Sequence, residues 1–164
     1  MPYGQAASRV TARSLAADLR AMDATLDLLD DRVAASLRIG RTDLRAMEII
    51  SRAGRALPSE LASTLRLTTG AVTAVIDRLE AAGLVRRAAD PHDRRKVRLE
   101  LTSAGRDREQ RVFAPLARDV VKALSAYTAD ELTLIAGFVA AVTEATNRAA
   151  ARVGAASPSA RSRR

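Results

Sequence analysis

The stretch Leu79-Glu80-Ala81-Ala82-Gly83-Leu84-Val85-Arg86-Arg87, continued by Asp90-Pro91-His92-Asp93-Arg94-Arg95 and Lys96-Val97-Arg98-Leu99-Glu100-Leu101-Thr102, changes its hydrophobic period in mid-course. Up to Leu79 the apolar residues Val72, Val75, Ile76 and Leu79 share one helical face. Gly83 closes that helix. Leu84 to Arg87 then reads as a short extended segment. Lys96 to Leu101 alternates charged and apolar residues, the pattern of a half-buried strand. The residues between are turn-formers, so the two extended segments make a β-hairpin with a basic tip.

Upstream of this stretch, Thr68 caps a helix from Thr69 to about Ala81, and Arg66-Leu67 is a turn. Pro58 suits the first turn of a preceding helix, Pro58–Leu65, whose Leu61 and Leu65 face inward. Thr42 is positioned to cap another helix, carrying Leu44, Met47, Ile49 and Ile50 and stopping near Gly54. Ser8 to Leu37 forms a longer helix with an apolar seam of Leu15, Leu19, Met22, Leu26, Leu29, Val33 and Leu37. Downstream, a helix after Thr102 carries Val112, Phe113, Leu116, Val120, Val121 and Leu124, with a kink expected at Pro115. Thr128-Ala129-Asp130-Glu131 is a capping box for a last helix through Leu132, Ile135, Val139 and Val142. From Arg152 the composition turns to Ala, Ser, Pro and Arg, and a disordered basic tail is expected.

The expected fold is mainly α with a small β-hairpin wing, a winged helix-turn-helix flanked by dimerisation helices. Its divisions are an N-terminal dimerisation helix (1–40), a DNA-binding lobe (41–102), C-terminal dimerisation helices (103–151) and the tail (152–164).

Composition narrows the function. The 164 residues carry a formal charge of +8, which points to an acidic partner, double-stranded DNA first. Only two Tyr, two Phe and no Trp are present, few platforms for stacking single-stranded bases. The absence of cysteine excludes disulfides, thiolate nucleophiles and thiol-based sensing. No signal-like or membrane-spanning run is seen, so a cytoplasmic protein without membrane contact is expected.

Short helices followed by a basic hairpin give the order in which one helix braces the next against a major groove. Thr68, Thr69, Gly70, Ala71, Thr73, Ala74, Asp77 and Arg78 populate the exposed part of the second helix. Small side chains let its backbone approach base edges, and threonine supplies hydroxyls and methyls. The wing offers Arg94 and Arg95 for a minor groove, with Arg86, Arg87, Lys96 and Arg98 near phosphates. Asp90 and Asp93 hold the arginines in one pose, and His92 completes the tip. The long seams predict a homodimer through Leu15, Leu19, Met22, Leu26, Leu132, Ile135, Val139 and Val142.

Over Arg41 to Gly105 the sequence resembles the multiple-antibiotic-resistance regulator (MarR) family. The resemblance rests on Leu79 to Arg87, on Asp90-Pro91-His92-Asp93-Arg94-Arg95 and on the closing Leu101-Thr102-Ser103-Ala104-Gly105. It implies interleaved dimers on pseudo-palindromic operators, commonly repressors released by a small aromatic or anionic molecule. It also implies a ligand crevice, expected here near Asp30, Arg45, Ile49 and Phe113. The branch of the family that senses peroxide through cysteine is excluded.

Other readings are weaker. His92 with Asp90 and Asp93 lacks a second ligand cluster, so neither metal nor cofactor is expected. Glu48, Glu60 and Asp77 have no partnered base or nucleophile, and catalysis is not expected. The alternative function is an architectural protein that coats DNA by charge, without operator preference or ligand gating.

Overall fold

In the computed structural model of the chain, residues 10–89 and 97–156 are described, with side chains as far as Val153. The elements are α1 (Ala12–Leu37), α2 (Arg41–Ala53), α3 (Pro58–Leu65), α4 (Thr69–Ala81), β1 (Val85–Ala89), β2 (Val97–Leu101), α5 (Ser103–Leu124) and α6 (Ala129–Ala156). The chain falls into two compact units, the division lying within α5 after Phe113.

In the first unit, α2, α3, α4 and the hairpin share one apolar core. Leu44, Met47, Ile50, Leu61, Ile76, Leu79, Leu84 and Leu99 are its largest fully buried apolar side chains. Val33, Ala34 and Leu37, at the end of α1, belong to the same core, and Val112 and Phe113 pack against it from α5. The seam of α1 therefore divides. Its last turns complete the lobe, whereas Leu15, Met22 and Leu26 remain exposed. The lobe likewise reaches beyond the division at Thr102 expected from the sequence, because the start of α5 is fastened to it.

That fastening explains the Leu-Thr-x-x-Gly motif. The Thr102 hydroxyl accepts the Gly105 amide at 2.8 Å and donates to the Gly83 carbonyl at 2.7 Å, so one side chain caps α5 and ties it to the α4–β1 turn. A Cβ on Gly105 would lie 2.1 Å from the Leu84 carbonyl oxygen. Only glycine permits that approach.

The hairpin is antiparallel, Val85 opposite Leu101 and Ala89 opposite Val97. Leu99 also exchanges backbone hydrogen bonds with Ala56, at 3.0 and 2.8 Å, which anchors the wing base to the segment before α3. Leu99 and Leu101 are buried, but Val97 is exposed, so the half-buried alternation read from the sequence holds only in the inner part of the strand.

Other boundaries depart from the sequence expectation for local reasons. A reciprocal Thr11–Ser14 capping box starts α1 at Ala12 instead of Ser8. The N-cap of α2 is Gly40 rather than Thr42, because the Asp43 carboxylate reaches back to the Gly40 amide at 3.2 Å. Pro115 lies inside the continuous helix α5. The capping box at Thr128 and Glu131 forms as expected. Its hydrogen bonds hold the Glu131 carboxyl below the usual carboxylate range. Helix α6 continues to Ala156, beyond the expected start of a disordered tail at Arg152. Residues 157–164 lie outside the described residues.

Candidate nucleic-acid interface

The interface is built on α3, the Arg66-Leu67 turn and α4. Pro58 occupies the first turn of α3, and the Glu60 carboxylate accepts the Leu57 amide at 2.7 Å. Arg66 ends the helix in a left-handed conformation, φ 53°, with the Leu67 amide returning to the Ala62 carbonyl at 3.0 Å. That reversal aims α4 away from α3. The Thr68 hydroxyl then accepts the Ala71 amide at 3.3 Å and begins α4.

Burial fixes which face of α4 remains available. Val72, Val75, Ile76 and Leu79 are buried, so Thr68, Thr69, Gly70, Ala71, Thr73, Ala74, Asp77 and Arg78 are all exposed. The Thr73 hydroxyl donates to the Thr69 carbonyl at 2.9 Å, which leaves its oxygen free to accept. Thr69 and Thr73 also line a groove of about 580 Å³ together with Pro58, Ala62 and Val97.

Arg78, Arg86 and Arg87 are engaged with carboxylates. Arg78 donates from Nε to Asp43 Oδ2 at 2.9 Å and from Nη2 to Asp43 Oδ1 at 2.6 Å. Hydrogen bonding and the field of Asp43 raise the Arg78 pKa. Arg87 pairs with Asp77 at 2.8 Å and with Glu80, and its amide donates to Glu80 at 3.0 Å, so the first strand of the wing is tied to α4. Arg86 pairs with Glu100 across the hairpin at 2.9 Å. Arg98 is half-buried on β2. Asp90, His92, Asp93, Arg94, Arg95 and Lys96, the expected wing tip, lie outside the described residues.

Two features of this region lie outside the sequence expectation. Arg66 is exposed in the turn directly before α4, where a basic residue among the helix-turn-helix positions was the available signal. Asp43 is 2% exposed and bridges α2 to α4, a role that no local pattern announces.

The expected crevice residues are carried by α1 (Asp30), α2 (Arg45 and Ile49) and α5 (Phe113). Ile49 and Phe113 pack against the core, and Arg45 is exposed. Burial, with the nearby charge of Asp30, raises the Glu48 carboxyl above the usual range, while Arg45 and Arg52 oppose the shift and Glu109 adds to it. Asp30 also lies 3.9 Å from Arg41, which pairs with Asp27 at 2.5 Å and Asp31 at 3.3 Å and ties α2 to α1. Those carboxylates, Asp27 first, raise the Arg41 pKa.

Among the described residues no cluster of His, Asp and Glu is placed to hold a metal. Among the same described residues no helix is long and apolar enough to cross a membrane.

Comparison with known proteins agrees with this arrangement. The MarR family profile matches residues 39–97, from the end of the α1–α2 turn to the start of β2. The HTH-type transcriptional regulator YcgE of Bacillus subtilis is 38% identical over 112 residues, covering 68% of this chain and 73% of that protein. The multiple antibiotic resistance protein MarR of Salmonella typhimurium is 32% identical over 113 residues, 66% of this chain and 76% of that one. Among solved structures, a MarR mutant from E. coli complexed with operator DNA superposes with a TM-score of 0.51 at 26% identity, covering 79% of this chain and 93% of that chain. A MarR family protein from Bacillus stearothermophilus gives a TM-score of 0.63 at 22% identity, over 84% and 99% of the two chains. The chain belongs to the MarR family of helix-turn-helix, DNA-binding transcriptional regulators.

Proposed function

We propose that the protein is a homodimeric, sequence-specific repressor that occupies a pseudo-palindromic operator and releases it on binding a small aromatic or anionic molecule. The observation that carries operator reading is the exposed face of α4. Its small residues Thr69, Gly70, Thr73 and Ala74 project from a helix whose other face is fixed in the core. Such a face admits close backbone approach, and threonine oxygens and methyls distinguish base edges. The operator complex of the E. coli relative supports the same use of the fold. Arg66, the wing arginines Arg94 and Arg95, and Arg98 supply phosphate or minor-groove contacts in this reading.

Dimerisation is supported by apolar residues that the single chain leaves exposed, Leu15, Met22 and Leu26 on α1, Val120 and Val121 on α5, and Phe138 and Val139 on α6. Ligand release is supported by the half-buried Glu48 and Asp30 beside the exposed Arg45 and Arg52, where an entering anion or aromatic ring would alter the charge balance. A panel of phenols and aromatic carboxylates that leaves both operator affinity and melting temperature unchanged would remove ligand gating.

The test of operator reading is selection of duplexes from a randomised library by the purified protein. Enrichment of one motif with two half-sites is expected, at roughly 10³-fold or more over random DNA. Retention of all sequences alike would favour the architectural alternative, in which charge alone coats DNA.

A further inference from the structure

We infer that Asp43 is the positioning residue of the recognition helix, and that Arg78 places α4 on the lobe instead of reading bases. The inference rests on the proposal that α4 enters the major groove. Asp43 is the one charged residue in the core of the lobe, among the described residues. A buried carboxylate is tolerated only when its lone pairs are matched. Its matches here are the Gly40 amide, which fixes the start of α2, and the Nε and Nη2 of Arg78, 35 positions away on α4. One side chain thus joins the α1–α2 turn to the recognition helix through a planar, two-bond fork that holds direction as well as distance.

Arg78 is poorly placed for base reading on two further grounds. It lies nine residues after Thr69, about 13 Å along the helix axis, whereas a recognition helix meets base edges with its N-terminal residues. The Nε–Nη2 edge of its guanidinium, one of the edges able to grip a guanine, already faces Asp43. On the preceding position of α4, Asp77 is held by Arg87 of β1. Helix α4 is accordingly pinned to α2 through Asp43–Arg78 and to the hairpin through Arg87, which pairs with both Asp77 and Glu80, and its N-terminal turns are left for DNA.

The test uses the full chain and the tightest duplex recovered from the randomised library, with a panel of single-base variants of that duplex. Asp43→Asn, Arg78→Ala, Arg78→Lys and the double variant Asp43→Asn/Arg78→Ala are compared at several salt concentrations, far below their melting temperatures. Each single variant is expected to lose roughly tenfold in affinity, the size expected for one charge-assisted contact. The double variant should lose no more than the worse single one, since both remove the same pair. Arg78→Lys should fail to restore binding, because an ammonium cannot reproduce the fork. The loss should spread over every base position that α4 reads, and the salt slope should stay unchanged.

The inference is overturned if Asp43→Asn binds as well as the parent while Arg78→Ala relaxes preference at one base pair, or if Arg78→Ala lowers the salt slope by about one. Those outcomes make Arg78 a DNA contact. Should Asp43→Asn not fold, Arg78→Ala alone decides by the same base-position profile, and amide exchange must quicken in α4 but not in α3. Thr73→Val separates the two levels. If it leaves operator preference intact, the placement of α4 in the groove fails whatever Asp43 does.

Discussion

Helices α4 and α6 both start at a threonine cap and both carry an apolar stripe, yet the chain treats them differently. Helix α4 buries Val72, Val75, Ile76 and Leu79 in 13 residues. Helix α6 runs for 28 residues with none of its described side chains buried, and Leu134, Phe138 and Val139 are 76%, 38% and 56% exposed. Periodicity tells which face of a helix seeks cover but not what covers it. The lobe of α2–α4 and the hairpin is finished within one chain. Helix α6 and the N-terminal turns of α1 are not, and a second copy is the proposed cover.

The largest effect that sharpens this contrast is in the finished part. Ile76→Ala should cost about 2–5 kcal/mol of unfolding free energy, because the residue is fully enclosed and its neighbours collapse only partly. Denaturant melts should show the same loss at every protein concentration. Phe138→Asp belongs to the other class. It should weaken self-association and operator binding together, by about a hundredfold, since an unpaired charge in a covered seam is costly. Its signature is concentration dependence, and sedimentation at micromolar concentration checks it. Unaltered dimer mass for Phe138→Asp would place the interface elsewhere.

Gly105→Ala tests the fastening between the lobe and α5. The clash with the Leu84 carbonyl should cost about 1–3 kcal/mol, read as a lowered melting temperature without a change in association at matched folded fraction. The smallest effect is electrostatic. The Glu48 carboxyl is raised in the fold, so the folded state holds its proton more tightly than the unfolded chain does. Its contribution is favourable at acid pH and is lost as pH rises through the usual carboxylate range to the raised value. Glu48→Gln should therefore gain a few tenths of a kcal/mol near neutrality, on the order of other exposed-to-half-buried changes, and nothing in acid. A stability gain independent of pH would show that packing, not charge, is responsible.

The parts of the fold legible in the sequence are those governed by neighbours a few residues apart. Pro58 at a first turn, Thr68 as a cap and the reversal at Arg66-Leu67 give the bounds of α3 and α4 as the structure has them. The capping box at Thr128 is equally local. What escaped reading depends on partners far along the chain. Asp43 looks like an ordinary acidic first-turn residue until α4 brings Arg78 onto it. Arg86 and Arg87 look like free wing cations, but Glu100, Asp77 and Glu80 engage them once the strands pair. The hydroxyl of Thr42 reads as the cap of α2 in the sequence, but in the fold the Asp43 carboxylate makes Gly40 the cap. Charge in a sequence counts cations. Only the fold shows which of them are already held.

The most direct measurement is the mass of the complex between the protein and its selected duplex, by light scattering or sedimentation, with a hydroxyl-radical footprint of the same sample. Two chains per duplex are expected, protecting two half-sites about 10 base pairs apart, centre to centre, or a multiple of that spacing. A complex containing one chain at full affinity, protecting a single half-site, would contradict the account.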